Sequence, residues 1–139
     1  MRGNASNTPY AITLLMTAVA SQGHACAPSL AGDGVRLMQS PQYAVAWRSE
    51  PSAIPLGSYF VLELAVCGVD GRAIEAISVD AEMPEHRHGM NYRPGLSSLG
   101  SGRYRAEGLL FHMPGHWRLT VEVRVGDRVE RLTDDLMVE

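Results

Sequence analysis

The stretch Trp117-Arg118-Leu119-Thr120-Val121-Glu122-Val123-Arg124-Val125 places an apolar residue at every odd position and a polar one at every even position. Side chains alternate between the two faces of a strand, so this pattern describes a strand with one face buried and the other in water. Gly126-Asp127 follows as a tight-turn dipeptide, and residues 128–138 resume the β pattern, so 117–138 reads as a closing hairpin.

The same signature recurs upstream. Phe60, Leu62, Leu64 and Val66 share one face of a strand, and Ile77, Val79, Ala81 and Met83 share one face of another. Residues 43–48 and 103–109 are shorter candidates. Pro and Gly fall between these runs, at Pro51, Pro55, Gly68, Gly71, Pro84, Gly89, Gly100, Gly102, Pro114 and Gly115. Helical periodicity never extends beyond a turn or two. The chain is therefore expected to be all-β, an Ig-like antiparallel β-sandwich of about seven strands. Inward-facing Val, Leu, Ile and Trp117 are expected to fill the space between its two layers.

At 139 residues the chain is one domain in size. Its formal charge of −3 is too mild to draw nucleic acid or a charged membrane surface as a partner. Arg2 gives a positive start, residues 10–20 form an apolar run, and small residues follow at Ala20, Ser21, Ala25 and Ala27. That order is the signature of a cleaved export signal. The run falls short of the roughly 20 apolar residues that a bilayer span requires. The reading is thus a signal peptide over 1–25 and a single β-sandwich domain over 26–139. The domain carries no transmembrane segment and is periplasmic or secreted. A buried N-terminal helix is the competing account, but the run lacks a polar face.

Two cysteines, Cys26 and Cys67, survive export. In an oxidising compartment an even pair is most simply a disulfide. Closing a loop of about 40 residues stabilises by about 4 kcal/mol in the chain-entropy picture. The other reading makes Cys26 the lipidated first residue of a lipoprotein, although Gly23-His24-Ala25 is a poor lipobox.

All four histidines beyond the signal lie in two short runs. Ala81-Glu82-Met83-Pro84-Glu85-His86-Arg87-His88-Gly89-Met90-Asn91 holds His86 and His88; Phe111-His112-Met113-Pro114-Gly115-His116-Trp117 holds His112 and His116. In extended backbone His86 and His88 put both rings on one side, about 7 Å apart at Cα. Gly89 is expected to free the chain so that Met90 swings back toward them. Met83 continues a core face and reads as packing. Imidazole with thioether suits copper, as Cu(I) or Cu(II), better than zinc, magnesium or calcium. Zinc fits if Glu82 or Glu85 joins.

Whether the two runs meet depends on strand parity. If 84–102 is one loop, His86 and His88 lie at one end of the sandwich and His112 at the other. If 94–99 is a strand paired with 103–109 through the Leu99-Gly100-Ser101-Gly102 turn, both runs emerge at the same end. A nineteen-residue loop without structure is unusual in a compact domain, so the second arrangement is preferred.

No enzyme is expected. The chain lacks a Gly-x-Ser-x-Gly elbow, a Cys–His nucleophile pair and a phosphate-cradling Gly loop. A type-1 copper centre needs a thiolate, and Cys67 sits in a strand away from the histidines.

Over residues 35–139 the chain resembles the YtkA-like family of small secreted bacterial domains, relatives of the FixH type. The resemblance is carried by the 83–90 and 111–117 runs and by Gly102-Arg103-Tyr104-Arg105-Ala106-Glu107-Gly108-Leu109. It implies an Ig-like β-sandwich and an association with copper handling. A partial likeness to PCuAC-type copper chaperones rests on the spacing of Met90 and His112. In that motif His and Met are separated by a gap, whereas His112 and Met113 are adjacent here, and the upstream His is missing.

The expected function is an exported, monomeric copper carrier or accessory factor that exchanges its ion with a copper-donating or copper-accepting protein. The expected ligands are His86, His88, Met90 and His112, with Met113 and His116 in reserve. The alternative is a non-metal interaction module that docks a membrane or secreted partner through the same loops.

Overall fold

The computed structural model describes Met1, Gly3 and residues 26–139. The apolar run over 10–20 assigned to an export signal lies outside the described residues. No described helix is long and apolar enough to cross a membrane.

Among the described residues nine strands follow one another: β1 (Arg36–Gln39), β2 (Tyr43–Glu50), β3 (Tyr59–Gly68), β4 (Ala76–Met83), β5 (His88–Gly89), β6 (Gly95–Gly100), β7 (Arg103–Leu110), β8 (Gly115–Val125) and β9 (Arg128–Val138). They form two antiparallel sheets, ordered β1-β2-β3-β7-β6 and β5-β4-β8-β9. The protein is an all-β sandwich, as the period-two pattern requires. β1 and β5 go beyond the expected strands. β1 buries only Met38, and β5 is two residues long, so neither leaves a periodic signal.

The inward positions of the two sheets make one core. Trp47, Leu62, Leu64, Phe111, Trp117, Leu119, Val121 and Val123 are all buried. The 117–125 alternation holds residue by residue: the odd positions of β8 from Trp117 to Val123 are buried and the intervening even ones are partly exposed. Met83 is buried against this core, as its strand position predicted.

β7 departs from simple alternation. Phe60 pairs with Leu109 and Val61 with Glu107, so Gly108 is an extra residue without a partner. Its φ of +84° lies in the left-handed region, which glycine enters without a Cβ clash. The bulge resets which side chains face inward. Ala106 and Leu109 are both buried although three residues apart, and Phe111 continues the new parity.

On the opposite edge, Arg36 of β1 forms a paired hydrogen bond with Asp134 of β9, at 2.7 and 2.6 Å. Asp134 also accepts from the Trp47 indole nitrogen at 3.1 Å. This contact links the first sheet to the second.

Cys26 and Cys67 form a disulfide, with Cα atoms 5.9 Å apart. The bond ties the segment leading into β1 to β3. It also occupies the Cys26 sulfur that a lipoprotein anchor would require. A disulfide is compatible with an extracytoplasmic location.

β6 occupies 95–100 and pairs antiparallel with β7, Leu96 opposite Ala106 and Ser98 opposite Tyr104. This is the strand on which the parity depended. Because it is present, the chain leaving β4 at Met83 and the chain entering β8 at Gly115 lie at one end of the sandwich. The pairing of Glu82 with Arg118 agrees.

Candidate metal centre

The first histidine run is a hairpin. Met83 pairs with His88, and residues 84–87 form the turn between them. The amides of His86 and Arg87 donate to the Met83 carbonyl at 3.1 and 2.9 Å. Arg87 takes φ +55° to close the turn. His86 is therefore a turn residue and His88 a strand residue, in place of the expected extended pair. The rings are nevertheless neighbours, with centroids 5.8 Å apart.

Gly89 serves a different purpose from the expected flexible joint. It lies in β5, where a Cβ would come 3.1 Å from the Ala81 carbonyl oxygen. The absence of a side chain lets the short strand close on β4, and the Met90 amide then donates to that same carbonyl at 3.1 Å. Met90 is partly buried and packs against the core.

The second run crosses from β7 to β8 above the core. Leu56 bridges to Phe111, and the Gly57 amide donates to the Phe111 carbonyl at 2.8 Å. The Trp117 indole nitrogen donates to the Met113 carbonyl at 3.0 Å. Together these bonds fix the loop at both ends and set His112 beside the first run.

His88 and His112 lie with ring centroids 5.2 Å apart and planes inclined by 32°. A metal–imidazole bond of about 2.0–2.1 Å, added to the ring radius, puts two rings sharing one ion roughly 5–6 Å apart at their centroids. The pair is within that range. His112 Nδ1 is buried and has no hydrogen-bond partner. Buried polar atoms are nearly always paired, and an imidazole nitrogen with a lone pair to share is what a metal ion takes up. The His88 ring nitrogen Nδ1 lies 3.4 Å from the Gly89 carbonyl oxygen.

Beneath the pair lies Trp117, which the sequence assigns only to the core. Its ring sits 6.3 Å from His88 and 5.6 Å from His112, at interplanar angles of 76° and 80°. Phe111 stacks on it at 4.4 Å and 13°. The aromatic ending of the second run was the available signal that Trp117 belongs to the site as well as to the core.

The remaining candidates are placed apart. His116 sits on the even, outward side of β8, opposite in facing to Trp117. Its Nε2 lies 3.1 Å from Asp135 and its Nδ1 3.9 Å from Glu85. Asp135 is in turn gripped by Arg118 through two hydrogen bonds of 2.8 and 3.1 Å. The Arg118 bonds are the main reason its carboxyl titrates low, at about 2, with His116 adding to the effect. The Met113 side chain is exposed at the rim. As the side chains stand, no three His, Cys, Asp or Glu groups gather into a ready cluster among the described residues. His86 is exposed in its turn.

A cavity of about 650 Å³ lies elsewhere, along β4 between Val79 and Leu96. Its Glu122 and Arg131 are already paired with each other at 2.6 Å.

Fold and geometry together define an all-β, two-sheet sandwich domain with a histidine pair over a buried indole at one end. No family model and no curated protein matches the chain by sequence. Among solved structures it is similar to a DUF4426 family protein from Pseudomonas aeruginosa, with a TM-score of 0.52 and 11% identity over 76% of this chain and 94% of that one. At that identity the likeness is one of fold alone.

Proposed function

We propose that this chain is an exported copper-binding protein, a carrier or accessory factor that holds one ion at His88 and His112 and passes it on. The observation that carries the reading is the buried, unpartnered His112 Nδ1 in a ring 5.2 Å from His88. His86 and the thioethers of Met90 and Met113 are the nearest further donors along the chain. The mix of imidazole and thioether favours copper among the common biological metals. The disulfide suits an oxidising compartment, and the resemblance of the two runs to YtkA-like domains points the same way. A site at the rim of the sandwich, with His86 and Met113 exposed, is open to ligand exchange with a donor or acceptor protein.

Copper titration of the wild type and of His88→Ala and His112→Ala, with a chromophoric competitor, tests the assignment. One ion per chain is expected, with strong loss in both variants. Stoichiometric binding that neither substitution weakens refutes it.

A second reading has its own support. Leu56, Tyr59, Tyr92 and Met113 are all exposed apolar side chains. Tyr59 and Tyr92 contact each other at 6.2 Å, and Leu56 bridges to Phe111, beside His112. Such a rim fits an interaction module that binds a membrane or secreted protein. Metal-independent capture of a partner, abolished by Tyr59→Ser, would favour that module over the carrier.

A further inference from the structure

Resting on the copper reading, we infer that the site is selective for the monovalent ion, Cu(I), and that the Trp117 indole is part of its wall. Three observations carry this. The centroids of His88, His112 and Trp117 form a triangle with sides of 5.2, 5.6 and 6.3 Å. The midpoint of the imidazole pair is therefore about 5.4 Å from the indole centroid, so an ion held by both rings lies beside the indole. Trp117 and Phe111 are both fully buried, so the floor beneath the pair is dry and apolar.

The second observation concerns charge. The Glu85 carboxylate faces His116, and Asp135 is taken by His116 and Arg118. Glu82 sits on the exposed face of β4, opposite in facing to Met83. The neighbouring carboxylates are thus committed elsewhere or turned outward. An ion at the pair meets two imidazoles and the buried indole, with the nearby carboxylates turned to other partners or to solvent. Solvation cost rises with the square of the charge, so a divalent ion over an apolar floor costs about four times as much to desolvate as a monovalent ion of equal radius.

The third is coordination number. Cu(II) prefers a tetragonal set of nitrogen and oxygen donors, whereas soft donors such as thioether select Cu(I). Two imidazoles adjoin here, and besides the exposed His86 the soft donors in the two runs are the thioethers of Met90 and Met113.

The test uses the disulfide-bonded protein, with Cu(I) delivered anaerobically against a competing chelator and Ag(I) as a redox-inert monovalent probe. In wild type, Cu(I) and Ag(I) each bind one per chain and change the indole emission and near-ultraviolet absorption. Cu(II) at the same concentrations leaves both unchanged. Trp117→Phe, checked for its β signature by circular dichroism, keeps the stoichiometry, loses the spectral change and weakens Cu(I) binding roughly 2- to 30-fold. Three outcomes overturn the inference while leaving copper binding intact: equal affinity for Cu(II), monovalent binding without an indole signal in wild type, or undiminished binding by folded Trp117→Phe. If neither oxidation state nor Ag(I) binds wild type, the copper reading itself fails and the inference falls with it.

Discussion

Replacing Gly108 with Ala isolates the feature that sets the facing of the second histidine run. A Cβ built at Gly108 meets nothing within 4 Å, so crowding contributes no cost. The backbone does, because φ is +84°. For a residue with a Cβ that region costs about 1–2 kcal/mol. Opposing it, Ala restricts the unfolded chain more than Gly and stabilises by about 0.4–1 kcal/mol where the native conformation permits. The net expectation is a loss of about 1 kcal/mol, read as a lower midpoint in urea with an unchanged slope. Gly108→Asn is the internal control. Asn enters the left-handed region more readily than Ala, so it should cost less than Ala. Should the chain escape strain by removing the bulge, Leu109 and Phe111 would turn outward, and the near-ultraviolet dichroism of Trp117 would collapse. A Gly108→Ala variant as stable as wild type or more so, with Asn no better than Ala, would refute the left-handed bulge.

Other substitutions and conditions follow from single contacts. Asp134→Ala strips the buried Trp47 indole nitrogen of its acceptor and should cost about 1–3 kcal/mol in urea unfolding; Asp134→Asn keeps an acceptor oxygen and should recover part of that. Asp135 titrates at about 2 in the folded chain against 3.8 ordinarily. The folded value is the lower one, so the stabilisation from Arg118 and His116 is complete above about pH 4 and is lost as pH falls toward 2. Asp135→Asn should flatten thermal stability across that window, and an unchanged acid profile would count against the assignment. Reduction of Cys26–Cys67 frees a loop with a sequence separation of 41, and the loss should approach about 4 kcal/mol, measured as unfolding with and without reductant.

Much of the fold was legible because burial on one face of a strand writes itself into alternate residues. The odd positions of 117–125 and the sets Phe60–Val66 and Ile77–Met83 carry that record, and each set lies in a strand of the structure. β6 was legible only indirectly. Gly95-Leu96-Ser97-Ser98-Leu99-Gly100 is exposed throughout and has no burial pattern to read. It was reached from the improbability of a long loop and from a Gly-Ser-Gly turn. The bulge at Gly108 was not legible. A run Arg, Tyr, Arg, Ala, Glu, Gly, Leu has no mark that shows where one extra residue interrupts the pairing.

The candidate site divides in the same way. His86, His88, His112 and His116 stand out in the sequence by type and clustering, and their two runs could be paired by counting strands. What each ring faces could not be counted. His116 is one position before Trp117, and that single step places it on the outer face with Asp135 and Glu85. His88 and His112 come together because the β4–β5 hairpin folds back while the 111–114 crossing passes over Trp117. The sequence alone determined the strand pattern, the two chemistry-bearing runs and the cysteine pair. Those are properties of residue type and local period, which survive in one dimension. Only the tertiary structure decided that His88 and His112 share an indole floor while His116 does not, because facing depends on register, and register is fixed by pairing between distant strands.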